Sequence, residues 1–327
     1  MITRRQSVAL AATAGPALAR PAFSQTRRPL RVVVPFPPGG AVDSLGRILA
    51  ERLGPQLQQT VIVENRAGGG GIVGADAVAK GPADGSMLGI IGAATLLATP
   101  LLQAMPFDPI QDLRALTQIT DSAVLCVANA ARARRDGWTG LGDFMAFVQA
   151  NPGLAKLAGS GVGTVSHFTA AAIMRAAGVP AIHVPYRGGA ETANAILTGE
   201  VDLACDLPAT LLPLIQAGTA LPLTVSAANR LPLLPDVPGF SETALTAGID
   251  IRTWNMMMVP AATPEVEVIR LFRAIRRVAE QPEFATLLAR IAYVPVLQDS
   301  PTEAAAFIAS QAPAWRELVD MSGARAT

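Results

Sequence analysis

Twice along this chain an apolar, strand-like run stops at a glycine-rich turn and continues into a helical pattern. The first instance is "RVVVPFPPGGAVDSLGRILAERL" (31–53) and the second is "LAGSGVGTVSHFTAAAIMRAAG" (157–178). A second strand follows each ("VIVENR", "AIHVPYR"). Then come an arginine with glycines close behind (Arg66 to Gly69, Arg187 to Gly189), a helix, and a strand after an aspartate. The offsets are similar: Gly39 to Arg66 is 27 residues against 24 from Gly163 to Arg187, and Arg66 to Asp84 is 18 against 15 from Arg187 to Asp202. Strands alternating with helices predict α/β layering with a mostly parallel sheet. The strands lack strict polar alternation, as expected when both faces are covered. The repeat of pattern, without identity, predicts two α/β lobes of like build.

The lobe limits follow from two extended crossings, "AVLCVANA" (123–130) and "RTWNMMMVP" (252–260). They predict a double hinge, a first lobe of 28–122 with 253–327, and a second lobe of 123–252. Met256 to Met258 read as core. Thr263-Pro264-Glu265 starts a helix through Val278, and Ser300-Pro301-Thr302-Glu303 is a capping-box start for another.

The N-terminus reads as an export segment: Arg4 and Arg5, a mildly apolar stretch from Ser7 to Ala19, and small residues that fit cleavage after Ser24. Thr3-Arg4-Arg5 suits either a twin-arginine or a general secretory signal. No run of about 20 uncharged apolar residues occurs, so no membrane span is predicted. The 26 basic and 25 acidic residues give a net charge of +1, which argues against a nucleic-acid partner. The two cysteines and two histidines match no zinc spacing, and no cofactor motif occurs. Cys126 and Cys205 lie in apolar strand-like runs, and two buried thiols are favoured over one bridge.

A strand ending in Gly-Gly before a helix leaves free N–H groups at the positive end of the helix dipole, a place that binds anions. At Pro37 to Gly40 no Gly-Lys-Ser/Thr or G-x-G-x-x-G follows, which argues against nucleotides. Alone, this turn fits a carboxylate cradle and a tight packing turn equally. Asp43 can meet a ligand donor or steady the helix start, and the second reading is favoured. The other turn, "GSGVGTVSH", adds Ser160, Thr164, Ser166 and His167. Two such turns at the carboxyl ends of facing strands would grip a small anion from both sides. Asp206 suits the cleft or a helix cap, and His183 reads as core. Ser166 and His167 point about 100° apart on a helix and form no nucleophile–base pair.

With "VVVPFPPGGAVD", "VIVENRAGGGGIVGADAVAKGPADG", "HVPYRGGAETANAILTGEVD", "LPDVPGFSE" and "W…VPAATP" in order, the chain resembles the extracytoplasmic solute receptors of the tripartite tricarboxylate transporter system, the Bug family. The resemblance implies a two-lobed, type II-like periplasmic binding protein, with two Rossmann-like domains joined by a double crossing-strand hinge. It implies a monomer that binds a small mono- or dicarboxylate, hands it to membrane permease subunits, and uses no cofactor, metal or catalysis. The implied ligand residues are Phe36, Pro37, Gly39, Gly40, Ala41 and Asp43 in the first turn. Gly163, Thr164, Val165, Ser166 and His167 form the second turn, with Thr95 and Asp206 beside them. A receptor that signals to a membrane sensor is the alternative. An enzyme using Asp43, Asp206 or His167 is the weaker one, for want of a nucleophile elbow.

Overall fold

The computed structural model describes residues 28–323, so the expected export segment at 1–24 lies outside the described residues. Among the described residues no helix is long and apolar enough to cross a membrane. Strands β1 (Leu30–Val34), β2 (Val61–Asn65), β3 (Met87–Gly92), β4 (Leu113–Ala123), β10 (Arg252–Pro260) and β11 (Val294–Pro295) form one sheet in the order β11-β4-β10-β3-β1-β2. Strands β5 (Leu125–Asn129), β6 (Lys156–Gly159), β7 (Ile182–Pro185), β8 (Leu203–Asp206) and β9 (Ala220–Val225) form the other, ordered β7-β6-β8-β5-β9. Each sheet is the floor of one lobe.

Most strands of each sheet run one way, as expected, and the crossing strands and the short β11 run against them. Strands β1 with β2 and β3, and β6 with β7 and β8, pair parallel, whereas β5 and β10 are antiparallel to both their neighbours. The reason is geometric. Strand β5 arrives from the first lobe and β10 from the second, so each enters its new sheet at the cleft. The cleft lies at the carboxyl ends of the resident strands, so an arriving strand must run backwards against them. The crossings are tied at Ser226, which is fully buried. Its Oγ accepts from Val124 N–H (2.9 Å) and donates to the Ile251 carbonyl (2.6 Å), while its own N–H bonds the Val124 carbonyl.

The same reversal corrects the cysteine expectation. Both residues are fully buried, as their apolar runs imply, but antiparallel β5 places Cys126 directly opposite Cys205 on β8, and the two form a disulfide. A separation of 79 residues hides that adjacency from the sequence.

Met256, Met257 and Met258 are core residues. The helix Glu265–Ala279 packs a buried Val268, Leu271, Ile275 stripe with the helix Ala41–Leu57 against the first sheet. Ser300 caps the last helix, Pro301–Ser322, through its Oγ and Glu303 N–H (3.1 Å). That helix touches both lobes: it packs on β4, and its Trp315 meets the edge of Phe168 from the helix Val165–Ala177.

Candidate functional site

Between the sheets, at the carboxyl ends of their strands, lies a cavity of about 60 Å³, room for a few waters or one compact ligand. The lobes touch around it. Thr99 Oγ1 donates to the Gly163 carbonyl (3.3 Å), and Gly70 lies so near Val162 that a Cβ there would stand 2.2 Å from the Val162 carbonyl oxygen. The cleft is closed.

Five helix N-termini meet at the cavity, those of Ala41–Leu57, Val165–Ala177 and Gly189–Thr198 and of the shorter Ala93–Leu97 and Pro208–Gln216. The first and third have glycine N-caps, Gly40 and Gly188, with no side chain taking their amides. First-turn N–H groups have no intrahelical acceptor, and the dipoles add positive potential there. No arginine, lysine or histidine is among the lining residues. The cavity therefore offers backbone amides and hydroxyls to an anion.

Of the residues expected here, Phe36, Gly40, Ala41, Thr95, Thr164, Val165, Ser166 and Asp206 line the cavity. Pro37 lies in the groove at the cleft mouth, beside Gly70, Val162 and Arg187. Gly39, Asp43, Gly163 and His167 do not line the cavity; they build the two turns from behind. Buried Asp43 accepts from Gly39 N–H (3.0 Å), Arg47 Nε (2.9 Å) and Asn65 Nδ2 (2.8 Å). Asn65 also donates to the Phe36 carbonyl (3.0 Å). Burial alone would raise the Asp43 pKa, but the bonds from Arg47, Gly39 and Asn65 outweigh it and hold the group below its ordinary value. Asp43 is a clasp for the turn.

His167 plays the matching part in the other lobe. Its Nδ1 accepts the Gly163 N–H (3.2 Å), and its ring stacks on His183 at 4.3 Å, facing a separate groove at the back of the lobe. Burial, and for His167 the nearby His183, lowers both pKa values to about 4, so both rings are neutral. Thr164 caps the helix by accepting from His167 N–H (3.3 Å). Asp43 thus carries three hydrogen bonds, and the His167 ring lies on the far side of its turn from the cavity.

An Asp43→Ala variant is expected to lose about 1–2 kcal/mol of stability, because it removes the charged acceptor shared by Gly39, Arg47 and Asn65, donors that keep access to water. Since the folded pKa is lowered, the wild-type contribution is complete above the unfolded carboxylate pKa of about 4 and fades as pH falls through the folded value. Urea melts at neutral and acid pH check this; unchanged stability with lost ligand affinity would instead make Asp43 a ligand contact.

Sequence reasoning missed Gly189, Gly70, Leu207, Thr253 and Asn255, which line the cavity together with Ser160 of the second turn. Gly188-Gly189 carries the same signal as Gly39-Gly40, a bare glycine pair before a helix. Thr253 and Asn255 alternate on one face of β10, and Asn255 Nδ2 donates to Thr120 Oγ1 (2.9 Å). That period-two polar pair was the available sign in a strand read as apolar.

Comparison with known proteins agrees with this architecture. The family model described as the tripartite tricarboxylate transporter family receptor matches residues 45–323. The chain is 29% identical to Protein BugT of Bordetella pertussis over 316 residues, covering 96% of this chain and 95% of that protein. Among solved structures it is similar to the periplasmic binding protein BugD, with TM-score 0.82, 28% identity, and coverage of 91% of this chain and 99% of that one. It is also similar to MatC from Rhodopseudomonas palustris with bound malate, with TM-score 0.83, 27% identity, and coverage of 90% and 99%. The chain belongs to the tripartite tricarboxylate transporter receptor family, the Bug family of periplasmic solute-binding proteins.

Proposed function

We propose that this protein captures a small organic acid in the cavity between its lobes and delivers it to the permease subunits of a tripartite tricarboxylate-type membrane transporter. In this reading residues 1–24 direct export and are removed near Ser24. The lobes are then 28–122 with 253–327, and 123–252. The observation that carries it is the convergence of five helix N-termini on a cavity without basic side chains. Bare amides and dipole ends hold one carboxylate without the multiple charges that a phosphate requires. The malate bound in MatC supports a carboxylate as the solute class. Pro37, Gly39, Asp43, Gly163 and His167 act by shaping the turns, and Phe36, Gly40, Ala41, Thr95, Thr164, Val165, Ser166 and Asp206 by facing the solute.

Closure follows from differential affinity. A solute that touches both lobes stabilises the closed form and shifts the population toward it. A thermal-shift panel of short organic acids tests the proposal. At about 100 times its Kd, a true ligand adds roughly 2.7 kcal/mol and raises Tm by about 5 °C or more. If no mono- or dicarboxylate moves the Tm of folded, ligand-free protein, the proposal falls.

A further inference from the structure

One buried carboxylate oxygen in the cavity has no hydrogen-bond partner among the described residues. Asp206 ends β8 and is 3% exposed. Its Oδ1 accepts from the Leu207 N–H (2.7 Å) at the start of the helix Pro208–Gln216, while its Oδ2 is buried without a hydrogen bond. An unpaired buried carboxylate oxygen is costly. Burial pushes this acid up to about 6, with partial relief from the Leu207 N–H and the neighbouring Ser160 and Thr210 hydroxyls. It is therefore still mostly ionised at neutral pH. The titratable group set against it is Tyr293, whose phenol is kept neutral chiefly by burial. No lysine, arginine or histidine lines the cavity to pair with it.

The cavity is thus polarised. One side presents helix amides that attract a carboxylate, and Asp206 presents an acid that repels one. We propose that Asp206 Oδ2 accepts a hydrogen bond from a hydroxyl or ammonium group of the solute, so that the preferred ligand is a short hydroxy- or amino-carboxylate. A plain dicarboxylate of the same length would set its second charge against Asp206. This inference rests on the carboxylate-receptor reading above. Sites that bind a polar group of the ligand reject analogues lacking it strongly, because the site's own buried group is then left unpaired.

The test is calorimetry on the full mature chain with matched probes. These are propionate and butyrate, their hydroxy and amino derivatives at each carbon, malonate, succinate, and the amides of the same acids. At least one hydroxy or amino derivative is expected to bind about tenfold or more tighter than both its parent acid and the dicarboxylate of equal length. That preference is expected to shrink to about twofold in Asp206→Ala. Asp206→Asn, which keeps an acceptor for Leu207 N–H, serves if the alanine variant fails to fold. For an amino ligand, wild-type affinity is expected to fall about tenfold from pH 8 to pH 5, and to stay flat in Asp206→Asn. The proposal is overturned if no derivative gains over its parent, if the dicarboxylate binds tightest, or if the preference survives both variants. It also falls if the wild-type pH profile for an amino ligand is flat. Amides that bind as tightly as their acids would overturn the carboxylate reading itself, a result separate from the effect of the donor.

Discussion

Removing the Cys126–Cys205 disulfide is expected to lower the unfolding free energy by about 4 kcal/mol. The bond closes a loop of 79 residues, and in the chain-entropy account a loop of that size restricts the unfolded ensemble by roughly 4–5 kcal/mol. Native strain and residual denatured-state structure usually take some of that back. Both cysteines are fully buried, so a reductant acts on the unfolded chain first. The measurement is therefore urea denaturation of the oxidised protein against Cys126→Ala/Cys205→Ala, with the slope as well as the midpoint compared. A loss below about 1 kcal/mol would mean that the cross-link between β5 and β8 contributes little beyond the sheet's own hydrogen bonds.

A Gly70→Ala substitution is expected to weaken ligand binding by about 30-fold or more, near 2 kcal/mol, with a much smaller effect on folding. A Cβ at Gly70 would sit 2.2 Å from the backbone oxygen of Val162, and that clash lies between lobes. Opening the cleft relieves it, so the variant keeps its lobes and loses its closed form. Gly70 also has φ +63°, where an alanine costs about 1 kcal/mol from backbone strain alone. Gly137→Ala is the control: φ is +78° and nothing lies within 4 Å of its Cβ position. It carries the same kind of strain with no clash, so its affinity should match wild type. Equal loss of affinity in both variants would place the effect in backbone strain; equal binding by Gly70→Ala and wild type would sink the closure account.

These expectations turn on contacts that the sequence alone does not show. What it does show is local. The strand at Val32 to Val34, the bare Gly-Gly entry to the following helix, the Thr164 cap and the Ser300 start are each specified within a few residues. Turn and cap hydrogen bonds span three or four positions, so their signals are contiguous. The ordered motifs carried the family for the same reason: each is one turn with its flanking element. Asp43 was also legible in part, since its bonds to Gly39 and Arg47 are four residues apart.

By itself, then, the sequence determined the two-lobed α/β plan and its family, the crossings, and the pair of amide-rich turns. Tertiary structure alone decided which residues line the cavity and which stand behind. His167 belongs to a motif at the cleft, but its ring is spent on Gly163 and His183. Asp206 and Gly189 come from a strand and a helix apart in the chain and meet inside the second lobe, and Asn255 of β10 joins them only across the cleft. The pairing of Cys126 with Cys205 likewise waited on the direction in which β5 enters its sheet. The physical reason is range. Hydrogen bonds and steric limits along a few residues set each element, whereas strand order, strand direction and lobe closure are set by burial summed over the whole chain.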